Sequence, residues 1–272
     1  MTHPSRNIQV FDTSGKPHES MSLPSVFSAP FRPDVIQKVV VALHSRKYQP
    51  KGRDPMAGKR TTAESVGVGK DLARVPRVKG DRFPKASQGA FAPMTVKGRL
   101  THAPSPQRRL AKRINTKERL LALWSAVAAT ASSDLVASRG HEVKKVVNIP
   151  LVVSDEFQKL KTTAEAKSAL EGLGLWDDVT RARKGVKIRA GKGRARGRRL
   201  KHPRGPLLVV LRDEGIVKAA RNLTGVDIVE ASSLNVEDLA PGTHPGRLTA
   251  WTKSALEFVE KRFVIQGELA CQ

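Results

Sequence analysis

Residues 207–211 read Leu-Leu-Val-Val-Leu, an unbroken apolar run with the length of a β-strand. Such a run predicts a strand covered on both faces, as in a parallel sheet packed between helices. A second run of this kind occupies residues 149–153, and shorter strand patterns occur at residues 8–11, 226–229 and 248–251. Helical patterns separate these strands, so the chain is predicted to be α/β, with a mostly parallel sheet and helices on both faces.

The helices are predicted from apolar periodicity and from end signals. Pro33 suits the first turn of a helix whose apolar face continues to Leu43. Asn115 and Glu118 are spaced as a capping pair, and the helix that follows is predicted to end near Gly140. Further helices are predicted at residues 164–170, ending at Gly172 or Gly174, and at residues 216–223, 236–239 and 254–262.

The charge of the chain is concentrated in two blocks. Its 272 residues include 49 Lys and Arg but only 25 Asp and Glu, a formal net charge of +24. Residues 44–113 contain 18 basic and 4 acidic side chains, and residues 181–204 contain 12 basic side chains and no acidic one. The other 178 residues carry a net charge of −2. A near-neutral body with two basic inserts indicates two dedicated contacts with a polyanion, nucleic acid before an anionic membrane.

The first basic block shows neither helical nor strand periodicity and contains seven Gly and seven Pro. About seventy residues without regular structure are too many for an ordinary loop, so the block is expected to be disordered until it binds something negative. Tyr48, Phe83 and Phe91 lie among its cations, where aromatic rings stack on RNA bases. The alternative is a dispensable disordered linker.

The second basic block centres on residues 191–199, Gly-Lys-Gly-Arg-Ala-Arg-Gly-Arg-Arg. Glycines between arginines let the backbone lie close to phosphates, which guanidinium groups bind in bidentate fashion. The alternative is a charge run that contacts only solvent. That alternative leaves the mutual repulsion of the twelve cations in residues 181–204 uncompensated.

Catalytic motifs are incomplete throughout the sequence. Residues 52–60 resemble a P-loop but have one residue too many between the glycines and Arg60 where Ser or Thr is needed. Residues 67–69 lack the third glycine of a dinucleotide fingerprint. The seven histidines include no pair at metal-ligand spacing, so each is expected at the surface or against phosphate. The adjacent carboxylates Asp177 and Asp178 are expected at a helix start or at the surface, and the single cysteine, Cys271, excludes an internal disulfide.

Two other function classes stay open on these grounds. One is an RNA-modifying or RNA-cleaving enzyme with basic substrate arms, which needs a convergent acid–base or metal constellation. The other is a non-enzymatic RNA-binding regulator, which would favour a compact groove-reading motif such as helix-turn-helix. The longest helical stretch without charges is too short to span a membrane, and no secretion signal is evident, so a cytoplasmic protein without a membrane partner is expected.

Nine stretches in order closely resemble the archaeal and eukaryotic branch of the universal large-subunit ribosomal protein number four family. The end of the chain soon after Arg262 resembles archaeal members, and Val66 stands where the family often has an aromatic residue. The stretches are residues 62–70 with 74–80, 88–91, 115–119, 138–141, 151–153, 188–194, 219–223, 238–242 and 246–248.

The resemblance implies a structural constituent of the large ribosomal subunit without enzymatic activity. Residues 1–47 and 110–272 would form the globular body, residues 48–109 an extended loop that penetrates 23S-type rRNA, and residues 181–204 an RNA-binding insert. The loop tip, residues 64–77, would reach the constriction of the polypeptide exit tunnel, beside large-subunit protein number twenty-two and the nascent polypeptide. The resemblance implies no cofactor for the protein, and it leaves open whether the rRNA binds structural Mg²⁺ or K⁺ ions.

The expected RNA contacts are the cations of the two blocks, and the expected tunnel tip is small and mostly uncharged. The tip residues are Glu64, Ser65, Val66, Gly67, Val68, Gly69 and Lys70. The residues expected to bind rRNA are Arg53, Lys59, Arg60, Lys70, Arg74, Arg77, Lys79, Arg82, Lys85, Arg99, Arg108, Arg109, Arg113, Arg189, Lys192, Arg194, Arg196, Arg198, Arg199, Lys201 and Arg204.

Overall fold

A computed structural model describes the backbone of residues 7–271 and the side chains of residues 7–263, which leaves the side chain of Cys271 outside the described residues. The chain divides into two compact units. The body comprises residues 1–44 and 113–272, and the second unit comprises residues 45–112. Among the described residues, no helix combines the length and the hydropathy needed to cross a bilayer.

A six-stranded sheet forms the centre of the body, with the strand order β2-β1-β5-β10-β8-β9. All neighbouring strands are parallel except β1 and β2, which form an antiparallel pair at one edge. The α/β class and the mostly parallel sheet predicted from the sequence are therefore confirmed. The strands are β1 (Asn7–Phe11), β2 (Pro17–Ser22), β5 (Leu151–Val153), β8 (Leu207–Val210), β9 (Asp227–Glu230) and β10 (Thr249–Thr252).

The helices of the body vary from one turn to nineteen residues. Short 3-10 helices at Ser25–Ser28, Asp155–Lys159 and Pro241–Thr243 supplement them. The α-helices are α1 (Pro33–Arg46), α2 (Thr116–Thr130), α3 (Ser133–Ser138), α4 (Thr163–Gly172), α5 (Trp176–Lys184), α6 (Lys192–Ala195), α7 (Ile216–Ala220), α8 (Val236–Leu239) and α9 (Lys253–Cys271).

The two faces of the sheet pack into separate apolar clusters. In β8, Leu207 and Val209 belong to the cluster that includes residues of α1, α2 and α8. Leu208 and Val210 belong to the other cluster, with residues of α4, α5 and α7. This alternation follows from the period of two along a strand. It explains why the strand is apolar at every position, since both of its faces are buried.

Two of the predicted helix features differ in the structure. The helix predicted to run on to Gly140 is broken at Ser132, which starts α3 with extended backbone, as a preferred N-cap residue does. Gly140, with φ of +92°, follows α3. The capping pair of Asn115 and Glu118 is confirmed in part: Asn115 is the N-cap of α2 and its backbone amide donates to the Glu118 carboxylate, but its side chain makes no capping hydrogen bond. Glu118 also pairs with the Nζ of Lys38 at 2.5 Å.

The second unit contains little regular structure. Its strands β3 (Ala63–Glu64) and β4 (Arg77–Val78) pair antiparallel, with Ala63 opposite Val78 and Glu64 opposite Arg77. Residues 88–99 form successive tight turns, in which Thr95 donates from both its amide and its hydroxyl to the carbonyl of Ala92. The disorder of this unit in the absence of RNA stays a prediction.

Candidate nucleic-acid interface

The second basic block contains a protruding hairpin, here called the basic ribbon (residues 185–204). Its strands are β6 (Lys187–Ile188) and β7 (Leu200–Lys201), which pair antiparallel, and helix α6 lies between them. The amide of Arg189 donates to the carbonyl of Arg199 at 2.7 Å and extends the pairing. Both strands are exposed on all sides. The ribbon is therefore a short two-stranded arm that contributes nothing to the apolar clusters.

Most of the ribbon's cations have no partner among the residues that the structure describes. Within residues 7–263, their side chains make no hydrogen bond or ion pair, and all of them are exposed. Arg189 differs, because its Nε donates to the carbonyl of Arg198 at 3.2 Å. A surface with this much uncompensated positive charge favours a polyanion. The unpartnered cations are Lys192, Arg194, Arg196, Arg198, Arg199 and Lys201.

The cations of the second unit divide into paired and unpaired groups. Arg60 pairs with Asp54, and Arg53 also helps to lower the pKa of Asp54, after the hydrogen bonds from Arg60 and from the Met56 amide. Lys79 pairs with Glu64 at 2.6 Å. Among the described residues, the rest of the predicted lysines and arginines in this unit form no ion pair. The exposed ones without a side-chain hydrogen bond are Lys59, Lys70, Arg74, Arg82, Lys85, Arg108 and Arg109, and Arg113 of the body resembles them.

Aromatic and guanidinium groups of the second unit are placed where nucleobases could be stacked. The guanidinium of Arg99 lies 5.8 Å from the centroid of the Phe91 ring, and Arg77 donates to the carbonyl of Ser87 at 3.0 Å. Tyr48 and Phe83 are exposed. Flat, partly exposed groups of this kind suit RNA bases, which stack on aromatic rings and on arginine.

The predicted tip is a hairpin loop that begins beyond the β3–β4 pair. Glu64 and Arg77 face each other in that pair, so the loop itself comprises residues 65–76. The Ser65 hydroxyl donates to the carbonyl of Arg74 at 3.1 Å and holds the base of the loop. At its far end Val68 is 77% exposed and lies between Gly67 and Gly69. The loop thus presents mostly small side chains and a net charge of only +1.

A buried polar cluster lies in the body, where the sequence predicted none. Asp178, in the first turn of α5, accepts a hydrogen bond from His141 Nδ1 at 2.9 Å and one from Arg181 Nε at 2.7 Å. The expectation of a helix-start role for Asp178 is confirmed, but the expectation that every histidine is at the surface is wrong for His141, whose side chain is 2% exposed. The missed signal was the spacing of Asp178 and Arg181, three apart on one helix face.

The charge states in this cluster follow from burial and from close neighbours. Burial lowers the pKa of His141 by more than Asp178 raises it, so the ring is neutral at pH 7 and donates to the carboxylate. Burial alone would raise the pKa of Asp178, but hydrogen bonds from His141 and Arg181 hold it below the ordinary value. Burial and then Arg247 lower the pKa of the nearby Arg139 to about 10.

The body is expected to lose stability as the pH falls below 6.5, the ordinary pKa of histidine. In the native state the pKa of His141 is lowered, so the unfolded chain binds more protons in that window and folding weakens as the pH falls. Denaturant titrations of the full chain between pH 8 and pH 5 measure this slope. His141→Gln should flatten it, whereas His202→Gln, at an exposed site, should not. Equal slopes in the two variants would contradict the assignment.

Nothing in the described part of the chain resembles a catalytic or metal centre. No group of three or more His, Cys, Asp or Glu side chains is arranged to hold a metal ion among those residues. The buried pair of His141 and Asp178 is closed off by Arg181 and by the backbone amide of Glu142, which donates to Asp178 at 3.0 Å. Its groups are therefore used to hold segments of the body together.

Comparison with known sequences decides the family. The model of the ribosomal protein L4/L1 family matches residues 21–262. The chain belongs to this family. It is 49% identical over 250 residues to large ribosomal subunit protein uL4 of Methanosphaera stadtmanae, covering 92% of this chain and 95% of the relative. It is 48% identical over 253 residues to uL4 of Methanopyrus kandleri, covering 93% and 97%. It is 46% identical over 258 residues to uL4 of Saccharolobus islandicus, covering 94% and 95%.

Membership in the L4/L1 family confirms the resemblance seen in the sequence, including its archaeal character. The protein has a structural role in the large ribosomal subunit and is not an enzyme, which removes the alternative of an RNA-modifying or RNA-cleaving activity. As a ribosomal protein it works in the cytoplasm, with rRNA and other ribosomal proteins as its partners.

Proposed function

We propose that this L4/L1 family member binds large-subunit rRNA through two separate surfaces, the basic ribbon and the second unit. The observation that carries the proposal is the set of exposed ribbon cations without any partner in the described part of the protein. Residues 181–204 contain twelve cations and no acidic residue. Among the described residues Arg181 and Arg204 have carboxylate partners, and the other cations repel one another unless phosphates neutralise them. The same argument applies to the exposed cations of the second unit, which would surround residues 48–109 with RNA.

The finer part of the proposal concerns the tunnel. Residues 65–76 would line the constriction of the polypeptide exit tunnel, beside large-subunit protein number twenty-two. The support is the exposure of Val68 together with small neighbours and low charge, since a surface that a nascent chain passes must not bind it tightly. Glu64 and Lys79, which pair at 2.6 Å, would stiffen the approach to the tip. The protein itself would need no cofactor, and any Mg²⁺ or K⁺ at the interface would be bound by the RNA.

Salt dependence tests whether phosphate contacts dominate RNA binding. The two basic blocks contain 30 lysines and arginines. If ten of them neutralise phosphates, log K for a large-subunit rRNA transcript should fall against log salt with a slope of about −7 to −9. Filter binding or fluorescence anisotropy between about 0.1 and 0.5 M KCl measures the slope. A slope shallower than about −3 would show that the blocks are mostly unused.

A further inference from the structure

The basic ribbon leaves the body at the end of α5 and returns just before β8, and one side chain joins the two ends. Arg181, in the last turn of α5, donates from Nη2 to the carbonyl oxygen of Arg204 at 2.8 Å. These residues are 23 apart in sequence, so the hydrogen bond closes the ribbon at its base.

Arg181 is itself held by the buried cluster. Its Nε donates to Asp178 Oδ1 at 2.7 Å, and this carboxylate is fully buried. The other oxygen of Asp178 is fixed by His141 Nδ1 at 2.9 Å. A guanidinium can donate in two set directions at once, to a carboxylate and to a carbonyl, which an ammonium group on a flexible stem does much less well.

The return end of the ribbon is tied in the same way. Arg204 Nη1 lies 2.7 Å and 3.0 Å from the two oxygens of Asp227, the first residue of β9. Arg247, which is 1% exposed, donates from Nη2 to the same carboxylate at 2.5 Å and from Nε to the carbonyl of Gly205 at 2.9 Å. Arg204 is therefore connected to the interior of the body through Asp227.

The two ends of the ribbon approach each other closely at its base. The amide of Gly205 donates to the carbonyl of Gly225 at 2.8 Å. Gly225 has φ of +84°, and a Cβ there would lie 2.8 Å from the Cβ of Ala182. A Cβ at Gly185 would lie 2.6 Å from the ring of Pro203. The two ends of the ribbon are thus packed so closely that a side chain at Gly185 or Gly225 would collide with its neighbours.

We propose that Arg181 and Arg204 are positioning residues, which fix both ends of the basic ribbon so that its free cations meet RNA in a preformed arrangement. This inference rests on the proposed function, because it presupposes that the ribbon binds RNA. It reassigns Arg204, expected from the sequence to contact RNA, to a role inside the protein. A ribbon whose two ends are fixed loses less conformational entropy on binding than a loose one. The contacts of Arg181 and Arg204, here called the clamp, therefore raise the affinity without touching RNA.

Substitutions that preserve the charge can distinguish a positioning role from a direct contact with phosphate. Arg181→Lys and Arg204→Lys leave the number of cations unchanged but remove the two-directional guanidinium contacts. If a tenth of the ribbons are then competent to bind, Kd for a large-subunit rRNA transcript rises about tenfold while the salt slope stays the same. Arg183→Lys and Arg221→Lys, at exposed positions without a side-chain partner in the described residues, are the matched controls and should change Kd by less than about threefold.

Hydrogen exchange gives a readout that is independent of RNA. In the free protein, Arg181→Lys should speed exchange of the amides that pair β6 with β7, while those of β8 and β10 keep their protection. If Kd and ribbon exchange in both Lys variants match those of the parent, the clamp is wrong even though RNA binding stands. If the parent protein itself shows a slope shallower than about −3, the proposed RNA contact fails instead. Equal loosening of β8 would mean that Arg181 supports the whole body, which would also overturn the inference.

Discussion

Replacement of Arg194, Arg196, Arg198 and Arg199 together with Gln is expected to weaken binding to large-subunit rRNA by about a thousandfold at 0.15 M salt. Each lost phosphate contact removes about 0.9 from the salt slope, so four contacts are equivalent to a slope shallower by about 3 to 4. At 0.15 M salt a change of that size corresponds to roughly three orders of magnitude in the binding constant. Anisotropy titrations at several salt concentrations measure both quantities.

The fold of this ribbon variant should be unchanged, because the four arginines are exposed and lie outside the apolar clusters. Thermal unfolding should stay cooperative, with a midpoint close to that of the parent protein. A control with the same loss of charge replaces Lys144, Lys159, Lys161 and Lys218 of the body with Gln, all of them exposed. Its affinity should fall far less. An equal fall in both variants would show that total charge, and not the ribbon, controls binding.

The sheet could be predicted from the sequence because two of its inner strands, β5 and β8, are apolar at every position. Residues 151–153 and 207–210 are all buried, and continuous apolar runs are typical of strands buried on both faces. Strand β10 is equally buried, although it begins and ends with threonine. The edge strand β2 was missed because Pro17–Ser22 is almost wholly exposed, so it has neither an apolar run nor an alternation. Helix α5 was missed because its nine residues are mostly charged, and only Val179 and Ala182 contribute apolar side chains to its buried face.

The location of the charge could be predicted, but the use of each cation could not. The partners of several cations are far away in the chain, as Asp227 is for Arg204 and Glu118 is for Lys38. Composition shows the surplus of lysine and arginine, whereas only the fold shows which of these side chains have a carboxylate partner. Arg60, Lys79 and Arg204, expected to contact RNA on the basis of charge, have such partners while their side chains stay more than half exposed.

Deletion of the tunnel tip is expected to change the tunnel while assembly continues. The variant joins Glu64 to Arg77 with an Asn-Gly pair in place of residues 65–76, because that dipeptide suits a two-residue hairpin turn and keeps the β3–β4 register. The removed residues include Lys70 and Arg74 as cations and Asp71 as an anion, so the net loss is one positive charge. Incorporation into reconstituted large subunits should therefore be close to that of the parent protein.

The functional loss should come from geometry. Each limb of the removed loop has about six residues and could reach up to ~20 Å at ~3.3 Å per residue, so its absence widens the constriction that the tip is proposed to form. Stalling by nascent chains and inhibition by compounds that bind in the tunnel should weaken about tenfold, which corresponds to the loss of ~1.4 kcal/mol of contacts. A second variant, Val68→Ser with Leu72→Ser, keeps the loop length and should change these responses much less.

The rate of single peptide-bond transfer, measured in the same subunits, distinguishes a change in the tunnel from a change at the catalytic centre. Its rate should be unaffected, because the tip offers no nucleophile paired with a base and the family is structural. Unchanged stalling and unchanged inhibition in the deletion variant would show that residues 65–76 do not reach the constriction. A collapse of peptide-bond transfer with normal assembly would instead connect these residues to the catalytic centre of the subunit. Since the loop contains only small, apolar and a few charged groups, widening of the tunnel is the effect that its chemistry supports.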